Sequence, residues 1–168
     1  MIEVRKDILK TAYPPRSPQA KKYDHGLLLV IGGSQFYSGS PALSALAALK
    51  GGCDMVEVVA SKRAADIIAT FSPALAAYPL EGDWLTKDHL PTLFSLAESS
   101  RVRANGKAAI IIGGGLGRSP ETQTAVNDFL ANVNIPVVVD ADAIHAVAKN
   151  PALLAGKKFL ITPHTYEF

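Results

Sequence analysis

The sequence is poor in cysteine, in aromatic residues and in net charge. Its single cysteine, Cys53, cannot form a disulfide within the chain, and its apolar, glycine-flanked position favours packing over chemistry. The formal net charge is only +2, and the basic residues are scattered apart from Lys21 and Lys22, so the sequence lacks the basic patch of a nucleic-acid-binding protein. Hydrophobic residues make up 48% and aromatic residues 7% of the chain, which predicts a core built from Ala, Val, Ile and Leu.

Signals for export and for membrane insertion are missing as well. The first ten residues, MIEVRKDILK, are charged throughout and contain no apolar signal core. No apolar run approaches the ~20 residues needed to span a bilayer. We therefore expect a cytoplasmic protein without membrane association.

Short apolar runs alternate with helical segments along the chain. The predicted buried strands cover residues 27–31, 55–60, 108–112, 136–139 and 159–161. The predicted helices cover residues 41–50, 62–69, 90–100, 120–132 and 141–147. This alternation predicts an α/β fold in which a mostly parallel sheet is covered by helices on both faces.

Two helix starts carry a serine directly before a proline. Ser40 precedes Pro41, and Ser119 precedes Pro120 with Glu121 in the first turn. A serine hydroxyl can cap a helix, and proline suits the first helical position. Both starts follow a glycine-rich loop that itself follows a strand, which is where open α/β sheets bind ligands.

The first of these loops is GGSQFYSGS, residues 32–40. Its glycines allow close backbone approach to a ligand, and the helix that follows offers unpaired N–H groups to an anionic or polar ligand. It is not a P-loop, because no Gly-Lys-Ser/Thr follows. A tight strand-to-helix turn without a ligand is an equal alternative.

The second loop is GGGLGRS, residues 113–119. A dinucleotide fingerprint would need glycine where Arg118 stands, and it would open a domain rather than come late in the chain. We therefore reject a Rossmann fingerprint. A pyrophosphate or ribose lying over this backbone remains open.

Acidic side chains and a histidine follow the last two predicted strands. An acid at the end of a buried strand, such as Asp140 or Asp142, could hold a hydrated Mg²⁺ or a substrate hydroxyl. The favoured role of Asp140 is to cap the next helix, and the two roles are compatible. His164, in the segment TPHTYEF, could donate to a substrate oxygen, although a lone histidine is more often structural. The sequence contains no zinc-ligand spacing and no Gly-x-Ser-x-Gly elbow.

These four motifs, taken in order, resemble the NAD(P)H-hydrate dehydratase family, whose domain is carbohydrate-kinase-like. The family has a Gly-Gly-Ser loop followed by an aromatic residue and Gly-Ala-Pro, which is similar to residues 32–41. Its Gly-Pro-Gly-Leu-Gly loop resembles residues 113–117, its Asp-Ala-Asp-Ala segment is intact at residues 140–143, and its Thr-Pro-His-x-x-Glu-Phe segment matches residues 162–168.

The resemblance implies a three-layer α/β/α ribokinase-like fold and a metabolite-repair reaction. The family removes water from the hydrated nicotinamide ring of NADHX or NADPHX, using ATP or ADP with Mg²⁺. The resemblance also implies a homo-oligomer and an epimerase as a partner or fused domain.

The site residues are implied by the same resemblance. The substrate's nicotinamide and ribose are expected against Ser40, His164 and the 113–117 loop. The loop residues concerned are Gly113, Gly115 and Gly117, and Asp140 and Asp142 would border the same crevice.

The sequence departs from the family both at single positions and in its extent. Ser40 replaces the usual alanine, Gly114 stands where proline is common, and Thr165-Tyr166 replaces Pro-Gly. The family also continues with a Gly-Thr-Gly-Asp loop that supplies the nucleotide phosphate site and the catalytic base. We therefore expect residues 1–168 to be the N-terminal, substrate-side part of one domain, apparently truncated or completed by a second chain.

Two other functions remain open from the sequence. One is a small-molecule kinase of the same superfold, which would accumulate a phosphorylated product. The other is a non-catalytic subunit that binds a dinucleotide without turning it over.

Overall fold

The computed structural model describes residues 5–13 and 15–167. Phe168, the last residue of the TPHTYEF segment, therefore lies outside the described residues, as do the first four residues of the MIEVRKDILK segment. No helix in the described part of the chain is both long enough and apolar enough to cross a membrane.

Six strands and six helices alternate along these residues. The strands are β1 (Leu27–Ile31), β2 (Met55–Ser61), β3 (Ala76–Leu80), β4 (Ala108–Ile112), β5 (Val137–Val139) and β6 (Phe159–Ile161). The helices are α1 (Ile8–Ala12), α2 (Gly39–Lys50), α3 (Lys62–Phe71), α4 (Leu90–Arg103), α5 (Pro120–Asn132) and α6 (Asp142–Ala148). All five predicted strands and all five predicted helices are confirmed, with ends shifted by up to three residues.

Strand β3 was not predicted. Its sequence is AAYPL, and only Leu80 is buried, so the strand has neither two buried faces nor a regular alternation of buried and exposed residues. Pro79 is tolerated because β3 is an edge strand, where a missing N–H need not break a ladder.

One of the two predicted serine caps is confirmed. The Ser119 hydroxyl accepts a hydrogen bond from the backbone N–H of Thr122 at the start of α5. The cap predicted at Ser40 is wrong, because α2 begins at Gly39, two residues before the predicted start, and Ser40 lies inside the helix. Its hydroxyl lies against Gly114 in the loop after β4.

The six strands form one parallel sheet in the order β3-β2-β1-β4-β5-β6. The chain begins in the middle, builds outward to β3, then returns to β4 and builds outward in the other direction. The order reverses between β1 and β4, and such a reversal creates a crevice beyond the carboxyl ends of the two strands.

Helices cover both faces of the sheet. On one face α2 and α3 pack on residues that include Val30, Val56 and Val58, and alanines of both helices let the backbones approach closely. On the other face α4, α5 and α6 pack on Leu29, Ile31 and their neighbours in β4 and β5. Successive residues of β1 thus enter opposite cores, and the predicted three-layer α/β/α fold is confirmed.

Candidate functional site

The four predicted loops lie side by side along the carboxyl edge of the sheet. The first residue after each of three strands extends the hydrogen-bonded ladder. Gly113 donates to the carbonyl of Ile31 (3.1 Å), Asp140 to that of Ile112 (3.0 Å) and Thr162 to that of Val139 (3.2 Å). Because these residues open the 113–119 loop, the acidic segment and the histidine segment, the parallel sheet brings all four motifs to one edge.

The loops after β1 and β4 touch each other at the point where the strand order reverses. The backbone N–H of Gly33 donates to the carbonyl of Gly114, with an N···O distance of 2.8 Å. The hydroxyl of Ser40 lies against Gly114, since a Cβ at residue 114 would be only 2.3 Å from Ser40 Oγ. The two glycine-rich loops therefore form a continuous floor to the crevice.

Two glycines in the second loop are required by their backbone geometry. Gly113 has φ +136°, and a Cβ there would lie 1.7 Å from the carbonyl oxygen of Asp140. Gly115 has φ +70°, and a Cβ there would lie 2.7 Å from Cβ of Tyr37. A side chain at either residue would thus collide with the protein itself.

Asp142, in the first turn of α6, anchors the second loop. Its Oδ2 accepts from the backbone N–H of Gly117 (2.9 Å), and its Oδ1 accepts from Nε of Arg118 (2.8 Å). The carboxylate is mostly buried while Arg118 is exposed. Asp142 therefore fixes the position of Gly117, and direct contact of Asp142 with a substrate stays a prediction.

Asp140 joins the last two loops. Its Oδ1 accepts from the hydroxyl of Thr162, with an O···O distance of 2.6 Å. The alternative that its side chain caps the following helix is wrong, because Ala141 is the N-cap residue of α6 and no side chain bonds to this helix end. Ala141 has φ +47°, a conformation that costs a non-glycine residue on the order of 1–3 kcal/mol and that is concentrated at functional sites.

His164 has an acidic partner that the sequence did not assign. Its backbone N–H donates to Oε2 of Glu167 (3.0 Å), and its Nε2 lies 3.4 Å from Glu167 Oε1. Its Nδ1 accepts from the backbone N–H of Tyr166 (3.1 Å), which leaves Nε2 as the nitrogen that carries the proton. The exposed imidazole is therefore held in one orientation, with Nε2 as its donor.

Tyr166, which stands where the family has glycine, does not fill the crevice. It is 92% exposed, and its ring meets the His164 ring edge-on at a centroid distance of 6.1 Å. The large tyrosine side chain thus points toward solvent.

Trp84 was not predicted as a site residue, because it follows the unpredicted strand β3. The backbone N–H of Gln35 donates to the carbonyl of Asp83 (2.9 Å), which joins the β3 loop to the β1 loop. The Trp84 ring lies over Gly117 and meets the Phe36 ring edge-on, with centroids 5.6 Å apart. No local pattern announces these contacts, since Trp84 is distant in sequence from both partners.

The described residues do not assemble a metal site of their own. Across residues 5–13 and 15–167, no three His, Cys, Asp or Glu side chains gather closely enough to hold an ion. Asp140 already accepts from Thr162, and both oxygens of Asp142 are engaged by the second loop. A Mg²⁺ held here by protein carboxylates alone does not fit this arrangement.

Comparison with known proteins gives a consistent result. The family model described as NAD(P)H-hydrate dehydratase matches residues 28–168. A bifunctional NAD(P)H-hydrate repair enzyme of Pyrobaculum aerophilum is 40% identical over 155 residues, which cover 91% of this chain and 29% of that protein. An ATP-dependent (S)-NAD(P)H-hydrate dehydratase of Homo sapiens is 33% identical over 165 residues, covering 96% of this chain and 45% of that protein.

Solved structures show the same fold. A ribokinase-like superfamily protein of Enterococcus faecalis superposes with a TM-score of 0.79 at 22% identity, covering 98% of this chain and 54% of that one. An ADP/ATP-dependent NAD(P)H-hydrate dehydratase of Bacillus subtilis, co-crystallised with ATP and Mg²⁺, superposes with a TM-score of 0.67 at 22% identity and is 53% covered. The chain spans about half the length of these solved structures and less than half of the two relatives above.

Proposed function

Because this chain belongs to the NAD(P)H-hydrate dehydratase family, we propose that it binds NADHX or NADPHX and takes part in the nucleotide-dependent dehydration of these hydrates to NADH or NADPH. The observation that carries the proposal is the contact between the two glycine-rich loops, Gly33 N–H to Gly114 carbonyl, at the reversal of strand order. Open α/β sheets bind their ligands at this position. The other two family motifs follow β5 and β6, next to β4 along the same edge.

The hydrated nicotinamide and its ribose would lie on the floor formed by the two loops. Ser40, Gly113 and Gly115 would lie against the substrate, on the two loops that meet at Gly33 and Gly114. His164 would donate from Nε2 to an oxygen of the substrate in place of its 3.4 Å contact with Oε1 of Glu167. Asp140 and Asp142 would border the crevice while holding Thr162 and Gly117 in place.

The reaction replaces a poor leaving group by a good one. Transfer of the terminal phosphoryl group of ATP or ADP to the ring hydroxyl would make a phosphate ester. The phosphate then departs with the electrons of the carbon–oxygen bond, and the neighbouring carbon loses a proton as the double bond forms. With ATP, the hydrate and the nucleotide become NAD(P)H, ADP and phosphate.

The residues of this chain would bind and orient the hydrate rather than handle the phosphates. We propose that the nucleotide site and the base lie outside residues 1–168, so that this segment is the substrate-side part of one longer domain. The absence of a Gly-Lys-Ser/Thr loop and the engagement of both aspartates support this division. Mg²⁺ would then be held chiefly by the nucleotide phosphates, as is usual for this ion.

We also propose a cytoplasmic, homo-oligomeric enzyme that works with an epimerase. The Pyrobaculum aerophilum relative is named a bifunctional repair enzyme, and a second activity in that protein supports an epimerase as a fused domain or partner.

A turnover assay tests the proposal. Protein made from the gene with its natural stop codon is mixed with NADHX, Mg²⁺ and either ATP or ADP, and the absorbance of reduced nicotinamide is followed. We expect nucleotide-dependent recovery. Accumulation of a phosphorylated product without recovery would indicate a kinase instead, and tight binding of the hydrate without turnover would indicate a binding subunit.

A matched pair of histidine variants ties the activity to the site. His164→Ala removes the oriented donor and should lower turnover. His25→Ala alters a histidine at the opposite edge of the sheet, just before β1, and should leave turnover unchanged. Equal effects of the two variants would count against the proposed site.

A further inference from the structure

Three aromatic side chains stand at one end of the crevice in a chain that has few of them. We call Phe36, Tyr37 and Trp84 the aromatic rim. Phe36 is 68% exposed and Tyr37 is 60% exposed, whereas Trp84 is half-buried. Tyr37 lies against Gly115 and Trp84 against Gly117, so the rim borders the glycine loop directly.

Trp84 is fixed on both sides by the backbone of its own loop. The carbonyl of Asp83 accepts from the N–H of Gln35 (2.9 Å), and the carbonyl of Leu85 accepts from the hydroxyl of Thr122 in α5 (3.0 Å). Leu85 itself is buried in the core. The indole is therefore a rigid wall between the β1 loop and the β4 loop.

The Phe36 ring packs against Trp84 and remains exposed to solvent. Its ring meets Trp84 at a centroid distance of 5.6 Å and an angle of 62°, which is a favourable edge-to-face contact. The preceding carbonyl, that of Gln35, is held by Nη1 of Arg63 at 2.8 Å. An exposed aromatic ring that is supported from behind is suited to stack against a flat ligand ring.

We infer that Phe36, positioned by Trp84, stacks on the adenine ring of the bound dinucleotide. The inference rests on the proposed function for the identity of the ligand. The hydrated nicotinamide ring contains saturated carbons and is not flat, whereas adenine is the flat, fully aromatic ring of the same molecule. Bases stack on aromatic side chains because both present a π-face.

The order of the loops along the edge fits this orientation. His164 follows β6 and Phe36 follows β1, and three strand spacings of about 4.8 Å separate these strands, about 14 Å in all. A dinucleotide with its nicotinamide and the attached ribose between His164 and the 113–117 loop can therefore direct its adenine toward the aromatic rim, which borders Gly115 and Gly117.

Calorimetric titration separates the two halves of the ligand. The probes are ADP-ribose, which has adenine and no nicotinamide, and the hydrate of reduced nicotinamide mononucleotide, which has no adenine. Phe36→Ala should weaken ADP-ribose binding roughly 5- to 100-fold and leave the affinity for the mononucleotide hydrate unchanged. Phe36→Tyr keeps an aromatic ring and should bind ADP-ribose about as tightly as the wild type. Phe71→Ala, which removes an exposed phenylalanine at the far end of α3, is the matched control and should change neither.

Trp84 reports where the probe binds. It is the single tryptophan of the chain, so ADP-ribose should change the fluorescence of the wild-type protein and of the Phe71→Ala variant. Failure of the wild-type protein to bind ADP-ribose, or equal affinities for the wild type and Phe36→Ala, would overturn the inference. So would a Phe36→Ala defect confined to ATP, because the adenine concerned would then belong to the nucleotide co-substrate.

Failure of this inference differs from failure of the proposed function. Nucleotide-dependent turnover of NADHX together with ADP-ribose binding that ignores Phe36 would overturn only the stacking. Binding of ADP-ribose that depends on Phe36 without any turnover would support the stacking and contradict the dehydratase.

Discussion

The hydroxyl of Ser40 occupies the space that a side chain at residue 114 would need, since a Cβ on Gly114 would lie 2.3 Å from Ser40 Oγ. The family commonly has alanine at the first position and proline at the second. This chain has the larger residue at 40 and no side chain at 114, so each departure accommodates the other. The two changes together keep the loops after β1 and β4 in contact.

We predict that these two positions are energetically coupled. Gly114→Ala should destabilise the wild type by on the order of 1–3 kcal/mol, because the added methyl group overpacks the contact. In the Ser40→Ala background the same change should cost less by at least about 0.5 kcal/mol. Urea unfolding of the four proteins measures the difference, and strictly additive effects would show that the contact does not constrain the loop.

Removal of the Asp142 carboxylate should loosen the second loop. Asp142→Ala leaves the N–H of Gly117 without its acceptor and should cost about 1.5–3 kcal/mol of stability, as expected for a charge-assisted bond. It should also weaken hydrate binding. Arg118→Ala is the control, because it removes only the exposed half of the pair and should cost less than about 1 kcal/mol. Urea unfolding and hydrate titration of both variants measure the two effects. A larger loss of stability or of hydrate affinity in Arg118→Ala than in Asp142→Ala would contradict this role of Asp142.

Asp140 and Thr162 separate a structural role from a functional one. Thr162→Val removes the hydroxyl donor with little change in shape, and Asp140→Ala removes the acceptor. We expect both variants to unfold within about 1 kcal/mol of the wild type, since the bond is exposed, and Asp140→Ala to lose more hydrate turnover than Thr162→Val. If Asp140→Ala lowered the free energy of unfolding but left hydrate turnover unchanged, Asp140 would serve the fold alone.

The sequence predicted the fold well because most elements are locally encoded. Buried parallel strands such as β1 and β4 are continuous apolar runs, and α5 carries both its cap at Ser119 and its proline. Strand β3 escaped prediction because an edge strand with Pro79 needs neither a full ladder nor two buried faces. Ser40 misled because its hydroxyl lies against Gly114 rather than at the helix end.

The site could be predicted only as a set of neighbouring loops. Parallel strands bring their carboxyl ends to one edge, so the sequence order of the motifs was enough to gather them. The specific bonds of Asp142 to Gly117 and of Asp140 to Thr162 join segments more than twenty residues apart, and the packing of Trp84 on Gly117 spans a longer interval. Such contacts depend on tertiary packing and leave no periodic signal.

The opposite edge of the sheet should respond to acid. Burial raises the pKa of the Asp54 carboxyl, but hydrogen bonds from the His25 N–H and from Arg16 outweigh it, so the pKa lies below the ordinary 3.8. A lowered folded-state pKa gives stability that is complete above the ordinary value and is lost as the pH falls through the folded value. Asp54→Asn should therefore cost on the order of 1 kcal/mol near neutral pH, where the partly exposed Arg16 limits the effect. Urea unfolding should show the gap between wild type and variant closing in strong acid, and a constant gap would contradict this assignment.

Hydrogen–deuterium exchange of this chain with and without NADHX tests the central claim most directly, since it reports which backbone amides the hydrate covers. We predict slower exchange in residues 32–40, 113–117 and 162–167 at the carboxyl edge, and unchanged exchange in residues 24–26 and 105–107 at the amino edge. Protection confined to the amino edge, or no protection at a saturating concentration of the hydrate, would contradict the assignment of the crevice as the hydrate site.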